Sequence, residues 1–275
     1  AYEIYQCDWS SDVCSSDLGS GGPSDRFSNL ALPPDTWAAG ELVRRGFQRD
    51  AGRRVIALDP GHGGPEVGAA SGRLAEKNVN LAIARHLQAL LEADGYQVVL
   101  TREDDDRAYW LPPADSEGNY NPTRADLQAR IDLANAAKAD LFVSIHNNGS
   151  TNTSEAGTEV WYAPDRPFGD ANHRLAVAVL DGITGELAKA GYAPPNRGLK
   201  DGSRFRVFGD RVFPLFVLGN ARSGPRPTRA TQMPGILGES LFLSNAREAA
   251  LLADPAVQAA IARGYQRGIN AYFGR

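Results

Sequence analysis

Arg54-Val55-Ile56-Ala57-Leu58-Asp59-Pro60-Gly61-His62-Gly63-Gly64 is a short apolar run that breaks into a glycine-rich loop. Leu141-Phe142-Val143-Ser144-Ile145-His146-Asn147-Asn148 repeats the theme, an apolar run ending on a histidine. Near-continuous apolar runs of this length fit strands buried on both faces of a parallel sheet. Working outward, residues 78–93 carry Val79, Ala82, Ile83, Leu87, Leu90 and Leu91 at helical spacing and stop at Gly95. Residues 96–101 read as the next strand, 123–137 as a helix, 140–145 as the second buried strand and 157–162 as another. A long helix over 171–190, short strands at 215–218 and 235–237, and a helix over 255–273 complete the pattern. This alternation predicts an α/β fold: a single domain with a mostly parallel twisted sheet and helices on both faces. In such sheets ligands sit beyond the carboxyl ends of the strands. His62 and His146 both fall there, on one rim.

Composition removes several function classes. The first 18 residues, with Cys7-Asp8-Trp9-Ser10-Ser11-Asp12-Val13-Cys14 at their centre, resemble a translated sequencing adapter and are set aside as foreign to the fold. That removes Glu3, Asp8, Asp12 and Asp17; the 33 acidic residues fall to 29, equal to the 29 basic ones. Zero net charge gives nucleic acid no electrostatic footprint to bind. Both cysteines, Cys7 and Cys14, go with the same segment, which excludes a disulfide framework and cysteine-ligated metal. No apolar run approaches the roughly 18 residues of a membrane helix. Residues 19–52 read as a linker or N-terminal extension, with a short helix over 37–47, and the domain proper is expected over 53–275. No signal peptide is visible, and with the native N-terminus expected to be missing this says nothing about export.

His62, His146 and Glu76, which stands just before the 78–93 helix, form a common catalytic zinc set of two imidazoles and a carboxylate. Glu239 offers a further carboxylate as base for a metal-activated water. The spacing is not a local metal motif, and a turn histidine or a phosphate loop remains open for His62; no Lys-Ser/Thr pair follows it as in a P-loop. Glu66 competes with Glu76 as the acidic ligand. His86 and His173 read as surface residues.

Asp59-Pro60-Gly61-His62-Gly63-Gly64, Glu76-Lys77-Asn78-Val79-Asn80-Leu81, Ser144-Ile145-His146-Asn147-Asn148, Met233-Pro234 through Glu239, and Leu243-Ser244-Asn245 occur in that order. With Leu100-Thr101-Arg102, Asn135, Ala139-Asp140-Leu141-Phe142 and Arg197-Gly198, they resemble the zinc-dependent N-acetylmuramoyl-L-alanine amidases of the Amidase_3 family, bacterial cell-wall hydrolases. The resemblance runs from about Arg53 to Phe273. It implies one zinc ion held by His62, Glu76 and His146, with Glu239 as the catalytic glutamate. It implies peptidoglycan as partner, an extracytoplasmic location in periplasm, wall or medium, and a regulatory protein of unknown identity. Asp59 and Asn147 are expected to orient the histidines, Asn148 to help hold the oxyanion, and Arg197 to lie on the substrate side. Rival readings are a zinc peptidase or deacetylase acting on another amide and a catalytically silent wall-binding domain. Some relatives plug their groove with a regulatory helix; the short interval from Ile145 to Trp161 leaves no room for one. Two loops depart from the expected spacing, 202–214 and 219–232, and six arginines against Asp210 crowd residues 204–229. Those arginines read as a solvated face or as contacts for stem-peptide carboxylates. Tyr109, Trp110 and Tyr120 are expected to wall a groove or to pack over the core.

Overall fold

The computed structural model describes residues 34–108, 122–208, 211–223 and 228–275. The adapter-like segment, the 19–33 tail and the loop bearing Tyr109, Trp110 and Tyr120 lie outside the described residues. The elements run α1 (Pro34–Arg44), β1 (Val55–Pro60), β2 (Ala70–Ser71), β3 (Leu74–Ala75), α2 (Glu76–Ala93), β4 (Gln97–Leu100), α3 (Pro122–Ala136) and β5 (Leu141–Asn148). They continue through β6 (Thr158–Tyr162), α4 (Gly169–Lys189), β7 (Asn196–Asp201), β8 (Arg206–Phe208), β9 (Arg211–Phe213), β10 (Gly235–Phe242), α5 (Ala246–Leu252) and α6 (Pro255–Tyr272).

Six strands form one sheet in the order β4-β1-β5-β10-β6-β7. β4, β1, β5 and β10 run parallel; β6 is antiparallel to β10, and β7 is parallel to β6. The expected α/β sheet is therefore present, parallel through its centre and reversed at one edge. Period-two alternation sends successive side chains to opposite faces. Ile56, Leu58, Leu141, Val143, Ile145, Val160 and Ile236 enter the core shared with α2, α4 and α6. Val55, Ala57, Phe142 and Leu237 enter the core under α1 and α3. The same alternation carries Asp59, Ser144, His146 and Glu239 onto the α1/α3 face, and Asn147 onto the α2 face. That division decides what each site residue can touch.

Three local expectations change. Residues 215–218 are not a strand but a turn, in which Leu215, Val217 and Leu218 are buried. Their apolar character serves burial beneath the loop rather than strand pairing. The 235–237 strand extends to Phe242 and is central to the sheet. α1 supplies Ala38 and Leu42 to the core that holds Val55, so packed structure also precedes Arg53. Residues 149–157 contain no helix, in line with the short interval noted in the sequence. Among the described residues, no helix is long and apolar enough to cross a membrane.

Candidate active site

His62 follows β1 in a loop closed by reciprocal backbone bonds between Gly63 and Glu66, 3.0 and 3.1 Å. Its φ is +63°, the left-handed region that non-glycine residues seldom occupy. Two buried arginines hold it there. Arg130 of α3 donates to the carbonyls of Pro60 (2.8 Å) and His62 (2.7 Å). Arg102, just past β4, donates to the carbonyls of Pro60 (2.9 Å), Gly61 (3.1 Å) and Lys77 (2.7 Å). Arg130 is in turn paired with Asp126 at 2.8 Å and Asp59 at 2.9 Å. Burial and the neighbouring Arg130 cation lower the Arg102 pKa to about 10, so both guanidinium groups stay charged at neutral pH.

Glu76 is the first residue of α2, where the helix dipole favours a negative charge. No side chain caps this helix; loop carbonyls of Ala69 and Val67 take the Glu76 and Lys77 amides at 2.8 and 3.2 Å. The Glu76 carboxylate is buried and surrounded by donors. Oε2 accepts from the Ala69 amide at 2.8 Å and lies 3.2 Å from His62 Nε2. Oε1 accepts from Asn80 Nδ2 (3.1 Å) and the Asn147 amide (3.1 Å) and lies 3.0 Å from His146 Nδ1. Burial alone would raise its pKa; the charge of His62 and the hydrogen bonds of His146 and His62 outweigh burial and hold it well below the usual carboxylate range.

His146, near the end of β5, meets His62 edge to face with ring centroids 4.9 Å apart. Burial lowers its pKa against the opposing pull of Glu76, favouring the neutral imidazole that binds metals. Two glycines make room for this packing. A Cβ on Gly61 would stand 2.1 Å from the His146 ring, and one on Gly68 would stand 2.4 Å from Glu76 Oε2 and 2.6 Å from His62 Cδ2. One donor atom from each of His62, Glu76 and His146 lies within 4.8 Å of the others. Among the described residues, no other trio of histidine, cysteine or acid side chains gathers in this way.

Glu239 is in register with His146 on one side and with Glu159 of β6 on the other. The β5/β10 register shifts immediately after it, as bulges often do beside functional side chains. Its Oε2 is buried with no hydrogen-bond partner. Burial, reinforced by the charges of Glu76 and Glu159, pushes its pKa well above the usual range. Glu159, which the sequence reading did not single out, is fully engaged. Its Oε1 accepts from Asn148 Nδ2 and Trp161 Nε1, both at 3.1 Å, and its Oε2 accepts from Arg197 Nε at 2.8 Å.

The remaining expected site residues sit beside the cluster, with different contacts from those anticipated. The Asp59 carboxylate accepts from Thr101 (2.6 Å), Arg130 (2.9 Å) and Ser144 (2.7 Å), and reaches His62 only through Arg130. Asn147 points to the α2 face, where its Nδ2 donates to Asn80 Oδ1 at 2.8 Å. It therefore braces the surroundings of Glu76. Arg197 pairs with Glu159 and Glu155. Glu66 accepts from Thr123 Oγ1 at 2.8 Å and faces Arg107 at 3.8 Å, outside the cluster. His86 and His173 are exposed. Of the arginine-rich loop, Arg229 is spent on Asp132.

Known proteins resemble this chain over most of its length. Residues 56–271 match the Amidase_3 family model, described as N-acetylmuramoyl-L-alanine amidase. The germination-specific N-acetylmuramoyl-L-alanine amidase of Bacillus subtilis (strain 168) is 30% identical over 250 residues, covering 90% of this chain and 87% of that protein. The amidase LytC of the same organism is 28% identical over 91% of this chain, which spans only 42% of LytC. Among solved structures, the CwlD amidase from Clostridioides difficile, in complex with the GerS lipoprotein, superposes with a TM-score of 0.64 at 28% identity, covering 81% of this chain and 99% of that one. The catalytic domain of CwlV from Bacillus (Paenibacillus) polymyxa var. colistinus gives 0.58 at 29% identity, covering 80% of this chain and 98% of that one. On the ordered motifs, the sheet and the family match together, the chain belongs to the Amidase_3 family of N-acetylmuramoyl-L-alanine amidases.

Proposed function

We propose that the chain hydrolyses the amide between the lactyl carbonyl of N-acetylmuramic acid and the L-alanine that begins the peptidoglycan stem, acting outside the cytoplasm. His62, Glu76 and His146 would hold one zinc ion, and Glu239 would carry the proton. The observation that carries this reading is the juxtaposition of a two-histidine, one-carboxylate cluster with a buried, unpartnered glutamate oxygen. The donor set fits zinc: nitrogen and carboxylate ligands from three side chains are the usual protein share of a catalytic site. When bound, zinc supplies Lewis acidity and lowers the pKa of water to roughly 7.

The chain's own residues divide the rest of the work. Glu239 would accept the proton of the attacking water and pass it to the departing alanine nitrogen. The products are a lactyl carboxylate and a peptide with a free amine. The charge of Glu159 raises the affinity of Glu239 for the proton it accepts. We assign Arg197 and Asn148 to holding Glu159 rather than to touching substrate. Arg102, Arg130 and Asp59 hold the loop that aims His62, and Asn80 with Asn147 aims Glu76.

Digesting purified peptidoglycan and analysing the fragments tests the reaction. Intact stem peptides bearing a free alanine amine, with uncut glycan strands, are the expected products, and their release should stop when metal is removed and return with zinc. Cleavage inside the stem or loss of acetate instead would establish the peptidase or deacetylase reading. Full zinc occupancy without release of any fragment would establish the silent domain.

A further inference from the structure

The α1/α3 face of the sheet holds a small cavity directly beside the two histidines. Ser144 precedes His146 by two residues and Leu237 precedes Glu239 by two, so each pair points to the same side. Between that face and the loop leading to β10 lies a cavity of about 40 Å³, touched by His62 and His146. Its apolar wall is made by Leu127, Phe205, Leu215, Phe216, Val217 and Leu237. Besides the two histidines its polar side chains are Asp59, Arg130 and Ser144, which are bonded to one another at 2.7–2.9 Å. A sugar ring is far too large. At about 10–15 Å³ of such space per water, the cavity has room for a small alkyl group of one to a few carbons.

We propose that this cavity is a subsite for a methyl group on the carbon next to the scissile amide. The inference rests on the amidase reading. The substrate bond has such a methyl on both sides: the lactyl methyl on the carbonyl side and the alanine methyl on the nitrogen side. Both carbons lie within one bond of the reacting amide, and the cavity abuts the two histidines of the cluster. Burying the methyl fixes the rotation of the amide relative to Glu239. Phe205 lies in 202–214, one of the two loops whose length departs from the expected motif spacing, so part of the subsite wall is a feature of this chain.

The test compares kcat/KM on soluble muramoyl-peptides that differ by one methyl. Alanine is replaced by glycine in one arm, and the lactyl group by glycolyl in the other. One methyl in an apolar pocket discriminates by about 10-fold or more, so that loss is expected in the arm whose methyl is bound. Val217→Phe, which fills the cavity, should bring that discrimination ratio close to one. Phe216→Ala, at a partly exposed wall position, should instead raise relative turnover of a stem beginning with valine if the alanine methyl is the occupant, or of a 2-hydroxybutyryl ether in place of lactyl if that methyl is. Zinc content and melting temperature, measured on each variant, show that it is folded. No penalty in either arm, or a penalty that neither variant alters, overturns the subsite. Failure of the wild-type protein to cut intact peptidoglycan overturns the amidase reading first, which separates the two failures.

Discussion

Glu76 opens α2 and Glu239 lies inside β10, and their surroundings differ atom by atom. Both Glu76 oxygens are met by donors from the Ala69 amide, Asn80, the Asn147 amide and the two histidines. The buried Oε2 of Glu239 meets none. Burial pushes both carboxyls up; histidines and hydrogen bonds reverse the effect at Glu76, whereas the Glu76 and Glu159 charges add to it at Glu239. Two carboxylates near one reaction centre with proton affinities driven apart are how a site separates a group that stays charged from one that moves protons. Glu76 is built to stay, Glu239 to change state.

The largest break in that contrast comes from the histidines. His146→Ala should lose bound zinc and, with it, all measurable release of stem peptide; metal analysis after gel filtration checks the first and fragment analysis the second. Retained stoichiometric zinc would remove His146 from the ligand set. Glu239→Gln should behave oppositely, keeping zinc while turnover falls by roughly 10²–10⁴-fold, the usual share of a general acid–base group. A Gln variant that turned over at the wild-type rate would make Glu239 a bystander. Measuring both variants on one preparation of peptidoglycan sets holding against proton transfer directly.

A smaller effect tests how Glu76 is aimed. Asn80 donates to Glu76 Oε1 and to the Gly61 carbonyl, at 3.1 and 3.3 Å, and accepts from Asn147. It touches neither histidine in these bonds, so Asn80→Ala leaves all three donors in place. Removing such an outer partner should cost about 10–100-fold in zinc affinity. Competition with a chromophoric chelator reads this. Unchanged affinity would mean that backbone amides alone orient the carboxylate.

How much of this the sequence disclosed follows from what each residue's neighbours are. β1 and β5 announce themselves because strands covered on both faces need unbroken apolar runs. β7, Asn196–Asp201, does not: it is an edge strand with exposed ends and a polar sequence. The turn at 215–218 carries the same apolar signal as a strand, since burial beneath a loop and burial in a sheet demand the same residue types. His62 and His146 were legible at strand ends and Glu76 at a helix start; Glu239, expected at a loop-to-helix position, instead lies inside β10, which runs beyond the short apolar run that marks it. Glu159 was not, because one acid in Thr158-Glu159-Val160-Trp161-Tyr162 resembles a strand's solvent-facing position. Only the antiparallel register of β6 on β10 sets it opposite Glu239. The roles of Arg102 and Arg130 depend on which carbonyls they reach, and residues 25 to 70 positions apart in sequence give no local signal of that.

The smallest expected effect concerns the frame beneath His62, and it separates a stability role from a catalytic one. Burial would raise the Asp59 pKa, but the Arg130 charge and the hydrogen bonds of Thr101, Ser144 and Arg130 hold it below the ordinary 3.8. A carboxyl whose folded pKa is depressed stabilises the fold at pH above its unfolded value. That contribution is lost as pH falls through the folded one. The acid limb of stability below about pH 3.8 should therefore be shallower in Asp59→Asn than in the parent, although the variant is less stable at neutral pH because Arg130 loses a buried partner. Denaturant titrations of metal-free protein between pH 2 and 6 isolate this from proton competition with any metal at the His62, Glu76 and His146 cluster. Glu76, also depressed, contributes to the same window, so the wild-type minus variant difference is what reports Asp59. An identical acid slope in both proteins would mean that Asp59 binds its proton as readily folded as unfolded. The loop carrying His62 would then be held by Arg102 and the carbonyl bonds of Arg130 alone.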